Sequence, residues 1–189
     1  SSKPAAGSGG SLDGAPASLF TAEGLTIAYI NSDSLLQNYE FFKDMEKKME
    51  ERQQKLNREY QNRAQGLQNE IENFQRTANN MTMSQARAVE EDLRRKQQNL
   101  MVYQESLAQE LMQEEGKINT ELYDKVSDYL KSYGKDKGLQ LVLTYQKGSG
   151  VLYANDSMNI TQDVIRGLNQ AYRMEKTGGS VPVKADTAR

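Results

Sequence analysis

TANNMTMS, residues 77–84, is a short polar break near the middle of a long run that otherwise reads as helix. That run, 34–133, has no proline and only two glycines, Gly66 and Gly116. Apolar residues recur along it every three or four positions, as one face of a helix requires. The first half carries Leu35, Tyr39, Phe42, Met45, Met49, Leu56, Tyr60, Leu67, Ile71 and Phe74. The second carries Val89, Leu93, Leu100, Tyr103, Leu107, Leu111, Ile118, Leu122, Tyr129 and Tyr133, with Lys96 and Glu114 interrupting the stripe. The stretch is too polar for the inside of a globule and too long for one helix of a compact domain. Asn79 and Asn80 disfavour a continuous helix, and Thr82 with Gln85 fits the pattern of a new helix start. Two arms of nearly equal length around such a break predict an antiparallel hairpin, each arm reaching about 70 Å. From Met45 to Leu67 the steps run 4-4-3 twice, with Gln53 filling one seam position, which favours nearly straight helices. From Leu67 to Met81 they become 4-3-4-3, the spacing of a left-handed coiled coil.

Composition narrows the function. The 189 residues are 37% hydrophobic and 26% charged, so surface dominates, as in an elongated chain or an oligomer. There is no cysteine and no histidine, which removes thiol nucleophiles, disulfides, histidine bases and ordinary zinc sites. Net charge is −2, so no basic field favours nucleic acid. No apolar run approaches the ~20 residues of a membrane span. Gly148-Ser149-Gly150 lacks the Lys-Ser/Thr and following helix of a phosphate loop. Neighbouring carboxylates such as Glu114 and Glu115 diverge on a helix and make no acid–base pair. The chain has no catalytic constellation, and neither an enzyme nor a cofactor is expected.

The flanks complete the architecture. Residues 1–23, rich in Ser, Gly, Ala and Pro, read as a flexible tether, and the tail 174–189 reads similarly. LTIAYI at 25–30 reads as a strand, followed by capping residues Asn31 to Ser34, with Ser34 and Gln37 matching a capping box. Gly134 and Gly138 are expected to stop the second arm. LQLVLTY at 139–145, a KGSG turn, and VLYA at 151–154 predict a β-hairpin. Thr161 is expected to cap a short helix with Val164, Ile165, Leu168, Ala171 and Tyr172 on one face. The fold class is therefore α+β: a small β-containing body at 24–33 and 134–173, and a helical-hairpin arm at 34–133 with its tip near 77–84. Three short strands and one short helix bury too little to stand alone, so the chain is expected to be an obligate oligomer. Ile27, Tyr29, Leu139, Leu141, Leu143, Val151 and Tyr153 are the residues expected at its interface.

The order of elements resembles the Skp/OmpH family of periplasmic chaperones. The resemblance is carried by IAYINSDSLLQNY at 27–39, KGLQLVLTY at 137–145, VLYAND at 151–156 and NITQDVIRGLN at 159–169. It covers residues 25 to about 173. It implies a homotrimer with a central β body and three helical arms enclosing a cavity. It also implies a periplasmic, ATP-independent holdase for unfolded outer-membrane β-barrel proteins. A tether of 23 residues would further suit a lipoprotein acylated on a cysteine just before Ser1. The best-known members are basic, whereas Asp/Glu and Lys/Arg number 8 and 8 over 40–82, and 11 and 9 over 83–138, in this chain. Charge therefore gives no support to contact with lipopolysaccharide or a membrane surface. A different class of reading is a structural or adaptor protein gripping one envelope partner through its arm.

Six of the eight methionines fall on the arms. Met45 and Met49 sit on the seam, while Met81, Met83, Met101 and Met112 are candidates to touch cargo, because methionine adapts to many apolar partners. Phe41 and Val102, off the seam, join them. Gly66 and Gly116 are candidate hinges in the arms, or simply tolerated surface glycines. Glu90-Glu91-Asp92 beside Arg94-Arg95-Lys96 reads as a solvated face with pairs such as Glu91–Arg95.

Overall fold

The computed structural model describes residues 25–178. Strand β1 (Ile27–Asn31) leads into helix α1 (Ser32–Asn38), then α2 (Glu40–Thr77). A 3-10 turn (Ala78–Asn80) reverses the chain into α3 (Met83–Lys137). Strand β2 (Leu141–Tyr145), a second 3-10 turn (Asp156–Met158) and α4 (Thr161–Lys176) follow.

The break at 77–84 turns the chain as its sequence requires. The Thr82 hydroxyl accepts from the Gln85 amide at 3.2 Å, and the Gln85 side chain accepts from the Thr82 amide at 3.0 Å. Two amides that a helix start leaves open are thereby satisfied. Helices α2 and α3 then run antiparallel. Groups paired across them are 58, 44 and 26 residues apart in sequence as the turn is approached, as an antiparallel pair requires.

The arm is not continuous from Ser34. Tyr39 is extended at φ −84° and ψ 113°, separating α1 from α2. Its side chain is buried, so the chain leaves the helix to drive this ring into the core. Asn169 of α4 bridges the break: its side-chain oxygen accepts from the Glu40 amide at 2.8 Å, and its nitrogen donates to the Asn38 carbonyl at 2.9 Å. The expected Ser34–Gln37 capping box is replaced by Asn31, whose side chain accepts from the Ser34 amide at 2.9 Å. Residue 31 is the last of β1, so the helix starts three residues earlier than that box would place it.

At the other end, Gly134 lies inside α3 and is buried; Gly138 alone ends the helix, in the left-handed conformation at φ 67°. Strand β2 does not fold back on residues 151–154. It pairs in parallel with β1, Ile27 opposite Leu141 through Asn31 opposite Tyr145. The turn at 146–149 forms, with the Ser149 amide donating to the Gln146 carbonyl at 3.0 Å. The return segment nevertheless makes no ladder among the described residues, and β2 keeps one edge unpaired. A single bridge from Tyr29 to Asn159 covers the other side of β1. Strand β1 is therefore central and β2 is an edge, which explains why Ala28, Tyr29 and Ile30 are all buried while Leu141 and Leu143 are not.

Thr161 is the first residue of α4, not its cap. Its hydroxyl is buried, accepting from the Asn31 amide at 2.9 Å and donating to the Asn159 side chain. Helix α4 runs to Lys176, two residues past the expected start of the tail. The tether at 1–23 and the last residues of the tail lie outside the described residues. The expected face of α4 is the one that packs: Val164, Ile165, Leu168 and Tyr172 join Ile30, Leu35, Tyr39 and Phe41 in one core, flanked by Leu122, Val126 and Tyr129 of α3. No helix among the described residues is long and apolar enough to cross a membrane.

Candidate partner-binding surface

The seam between α2 and α3 buries Leu56, Leu93 and Leu107. Its polar interruptions are filled by cross-links. Lys96 ion-pairs with Glu70 across the seam at 2.6 Å and with Asp92 at 3.0 Å. The hydrogen bond to Glu70, then that to Asp92, holds its pKa above the ordinary lysine value. Arg52 ion-pairs with Glu110 and lies 4.0 Å from Glu114. Gln53, expected in the seam, is exposed; Arg52 beside it makes the crossing instead. Tyr103 donates to Glu59 at 3.2 Å and lies 3.9 Å below the guanidinium of Arg63. These groups are roughly half-exposed and screened by solvent, so the pairs serve register more than stability. The charge patch at 90–96 pairs at i,i+3, Glu91 with Arg94 and Asp92 with Arg95, each at 2.6 Å.

Helix α4 is clamped to the base of α2. Arg173 forks onto Glu40, Lys176 reaches Asp44 at 2.9 Å, and the Tyr172 hydroxyl donates to the same carboxylate at 2.9 Å. Arg173 holds Glu40 below the usual carboxylate range, and Lys176 followed by Tyr172 does so for Asp44. Burial pushes the Tyr39 and Tyr172 phenols up to about 12.

The sequence-derived candidates divide into three groups. Met83, Met101, Val102 and Met112 are exposed on α3, and Met81 is half-buried at the turn. Met45 and Met49 are half-buried on the seam. Phe41 does not face outward: it is 2% exposed, with Tyr39 5.6 Å away and Tyr172 edge-on at 5.5 Å. The break at Tyr39 places the first turn of α2 beneath α4, and this the helical periodicity alone conceals. Gly66 and Gly116 lie in unbroken helix with open space where a Cβ would stand.

Between α2 and α3, nearer the base than the turn, lies an open groove of about 580 Å³. Phe42, Met49, Leu111, Met112 and Ile118 give it apolar walls, and Glu46, Glu50 and Glu115 stand at its rim. Tyr123, which sequence reasoning passed over, is 72% exposed on α3. Its signal was available: Met101, Met112 and Tyr123 are spaced by eleven residues, close to three helical turns.

A second apolar surface lies on the body. Leu141 and Leu143 are exposed on β2, and Leu152 and Tyr153 on the segment after it are 94% and 81% exposed. Ile27, Leu139 and Val151 are half-buried. Tyr29 is already consumed within the chain, its ring 5.7 Å from Tyr145, and offers little to a second chain. Among the described residues no group of three or more His, Cys, Asp or Glu side chains could hold a metal ion.

The family model for OmpH-like outer membrane proteins matches residues 26–168. The fold is similar to the crystal structure of a candidate OmpH-like outer membrane chaperone from Caulobacter crescentus CB15. The TM-score is 0.69 and identity 16%, covering 78% of this chain and 85% of that one. No curated protein matches the chain.

Proposed function

Because this chain belongs to the OmpH-like family of outer membrane proteins, we propose that it is a periplasmic chaperone that holds unfolded outer-membrane β-barrel proteins without ATP. The observation that carries the reading is the set of exposed, adaptable side chains Met83, Met101, Val102 and Met112 on a long and otherwise polar helix. Each contact is weak, and several arms acting on one unfolded chain add by avidity. Keeping apolar strands apart prevents edge-to-edge aggregation.

The chain works as a homotrimer in this reading. The bare edge of β2 and the exposed Leu141, Leu143, Leu152 and Tyr153 are surfaces that a second copy would cover. Sedimentation should show a single trimeric species; a stable, folded monomer at micromolar concentration would refute this part. The chaperone reading is tested by light scattering as several unrelated β-barrel proteins are diluted from denaturant. All should stay soluble. Suppression confined to one of them would favour an adaptor with a dedicated partner, and suppression of none would end the reading.

A further inference from the structure

The groove between α2 and α3 continues into a line of exposed apolar side chains. Met101, Met112 and Tyr123 are each about two-thirds exposed or more, and Met112 also lines the groove. Their spacing keeps them on one face of α3. From Met101 to Tyr123 this face spans about 33 Å at 1.5 Å per residue. An extended chain covers that distance in about ten residues. A transmembrane β-strand has about 9–11 residues.

Within the groove the charge is one-sided. The groove has three glutamates at its rim and no lysine or arginine. Some carboxylates elsewhere on the hairpin are paired, Glu70 with Lys96 and Glu110 with Arg52. At the groove, Glu46 and Glu115 make no ion pair among the described residues, and Glu50 accepts only from Gln54 at 3.4 Å. An apolar floor with unneutralised carboxylates along its edge selects cationic, apolar occupants.

Resting on the chaperone reading, we infer that the groove and the Met101–Met112–Tyr123 line form a dock for one strand-length extended segment, in which apolar residues alternate with lysine or arginine. In an extended segment alternate side chains point to opposite faces. The apolar set lies on Met112, Leu111 and Phe42. The long cationic stems fold back to the carboxylates at the rim.

The test uses the full chain and fluorescent ten-residue peptides in which leucine alternates with lysine, glutamate or serine. Anisotropy should show the lysine peptide binding about tenfold more tightly than the glutamate peptide, a difference of about 1.4 kcal/mol shared among three exposed charge contacts. Glu46→Gln, Glu50→Gln and Glu115→Gln together should bring the ratio close to one. Met112→Gln should weaken all three peptides. Equal binding of the lysine and glutamate peptides, or a preference that survives the triple substitution, would overturn the inference. Aggregation suppression measured alongside separates the two levels. Suppression without the charge preference removes the dock and leaves the chaperone reading. The charge preference without suppression leaves the dock as a peptide site and removes the chaperone reading.

Discussion

Of the four glycines inside helices, three answer the same substitution in opposite ways. Ordinary propensity makes Gly→Ala in a helix favourable by about 1 kcal/mol. At Gly66 and Gly116 nothing occupies the space that a Cβ would take, so Gly66→Ala and Gly116→Ala should each stabilise by about 0.5–1 kcal/mol. At Gly167 of α4 a Cβ would collide with the hydroxyl and ring of Tyr129 on α3, the ring Cε2 lying 2.8 Å from it. Tyr129 cannot yield freely, because it stacks on Tyr133 at 5.9 Å and packs against the core. If the ring only shifts, overpacking costs about 1–3 kcal/mol. If it is expelled, the cost approaches the ~3–5 kcal/mol of losing a large aromatic side chain. Less the propensity gain, Gly167→Ala should destabilise by about 1–3 kcal/mol. Urea unfolding at one protein concentration, compared by midpoint at constant slope, measures all three. In a Tyr129→Ala background the sign should reverse, and Gly167→Ala should then stabilise by up to about 1 kcal/mol. Refutation is simple: Gly167→Ala as stable as the parent would mean that the close approach of α4 to α3 is wrong.

Other predictions rest on separate contacts. Asn169→Ala removes both hydrogen bonds across the Tyr39 break and should cost about 1–2 kcal/mol in the same assay, with Asn169→Asp intermediate because it keeps only the acceptor. Glu40 and Asp44 have folded pKa values below their ordinary 4.5 and 3.8, so the stability they contribute is complete above those values and is lost as pH falls through the depressed ones. Thermal melts of Glu40→Gln/Asp44→Asn should accordingly depend less on pH in acid than the parent; identical slopes would contradict the clamp. Tyr39 and Tyr172, raised from 10.0 to about 12, act at the other end, and stability should fall as pH rises from 10 toward 12. Replacing Met83, Met101 and Met112 together by Gln should weaken aggregation suppression severalfold while leaving the sedimentation profile unchanged; undiminished suppression would remove these residues from the contact surface.

The helices were legible in the sequence because their signals are local. The Thr82–Gln85 box, the apolar spacing and Gly138 each act within a few residues. What the sequence concealed depends on groups far apart along the chain. Tyr39 breaks the first helix because Asn169, 130 residues later, supplies the hydrogen bonds that the break leaves open, and no periodicity reports that. The strand at 141–145 looks like half of a hairpin because its nearest apolar neighbour is 151–154, yet its partner is β1, more than a hundred residues earlier. Phe41 reads as outward-facing on a helical wheel and is buried by α4. Of the candidate surface, Met83, Met101, Val102 and Met112 were legible as residues off the seam. Tyr123 was legible from its eleven-residue spacing to Met112, whereas the glutamates at the groove rim were not, because their importance lies in which two helices they stand between.

The parallel pairing of β1 with β2 has a consequence for how the chain reaches its fold. Ile27 and Leu141 are joined by the whole of α2 and α3. Closing so long a loop as random coil is entropically costly and slow. The helical pair removes most of that cost, since its contacts begin close to the turn and grow outward, 26 residues apart at Lys96 and 58 at Arg52. The hairpin is therefore expected to zip from tip to base, with the two strands meeting only when it is nearly complete and the β2 edge formed last. Pulse-labelled hydrogen exchange should find amides near Thr82 protected before those of β1. A change that weakens the turn, such as Thr82→Ala, should then delay protection of the β1 and β2 amides without touching any residue of the sheet.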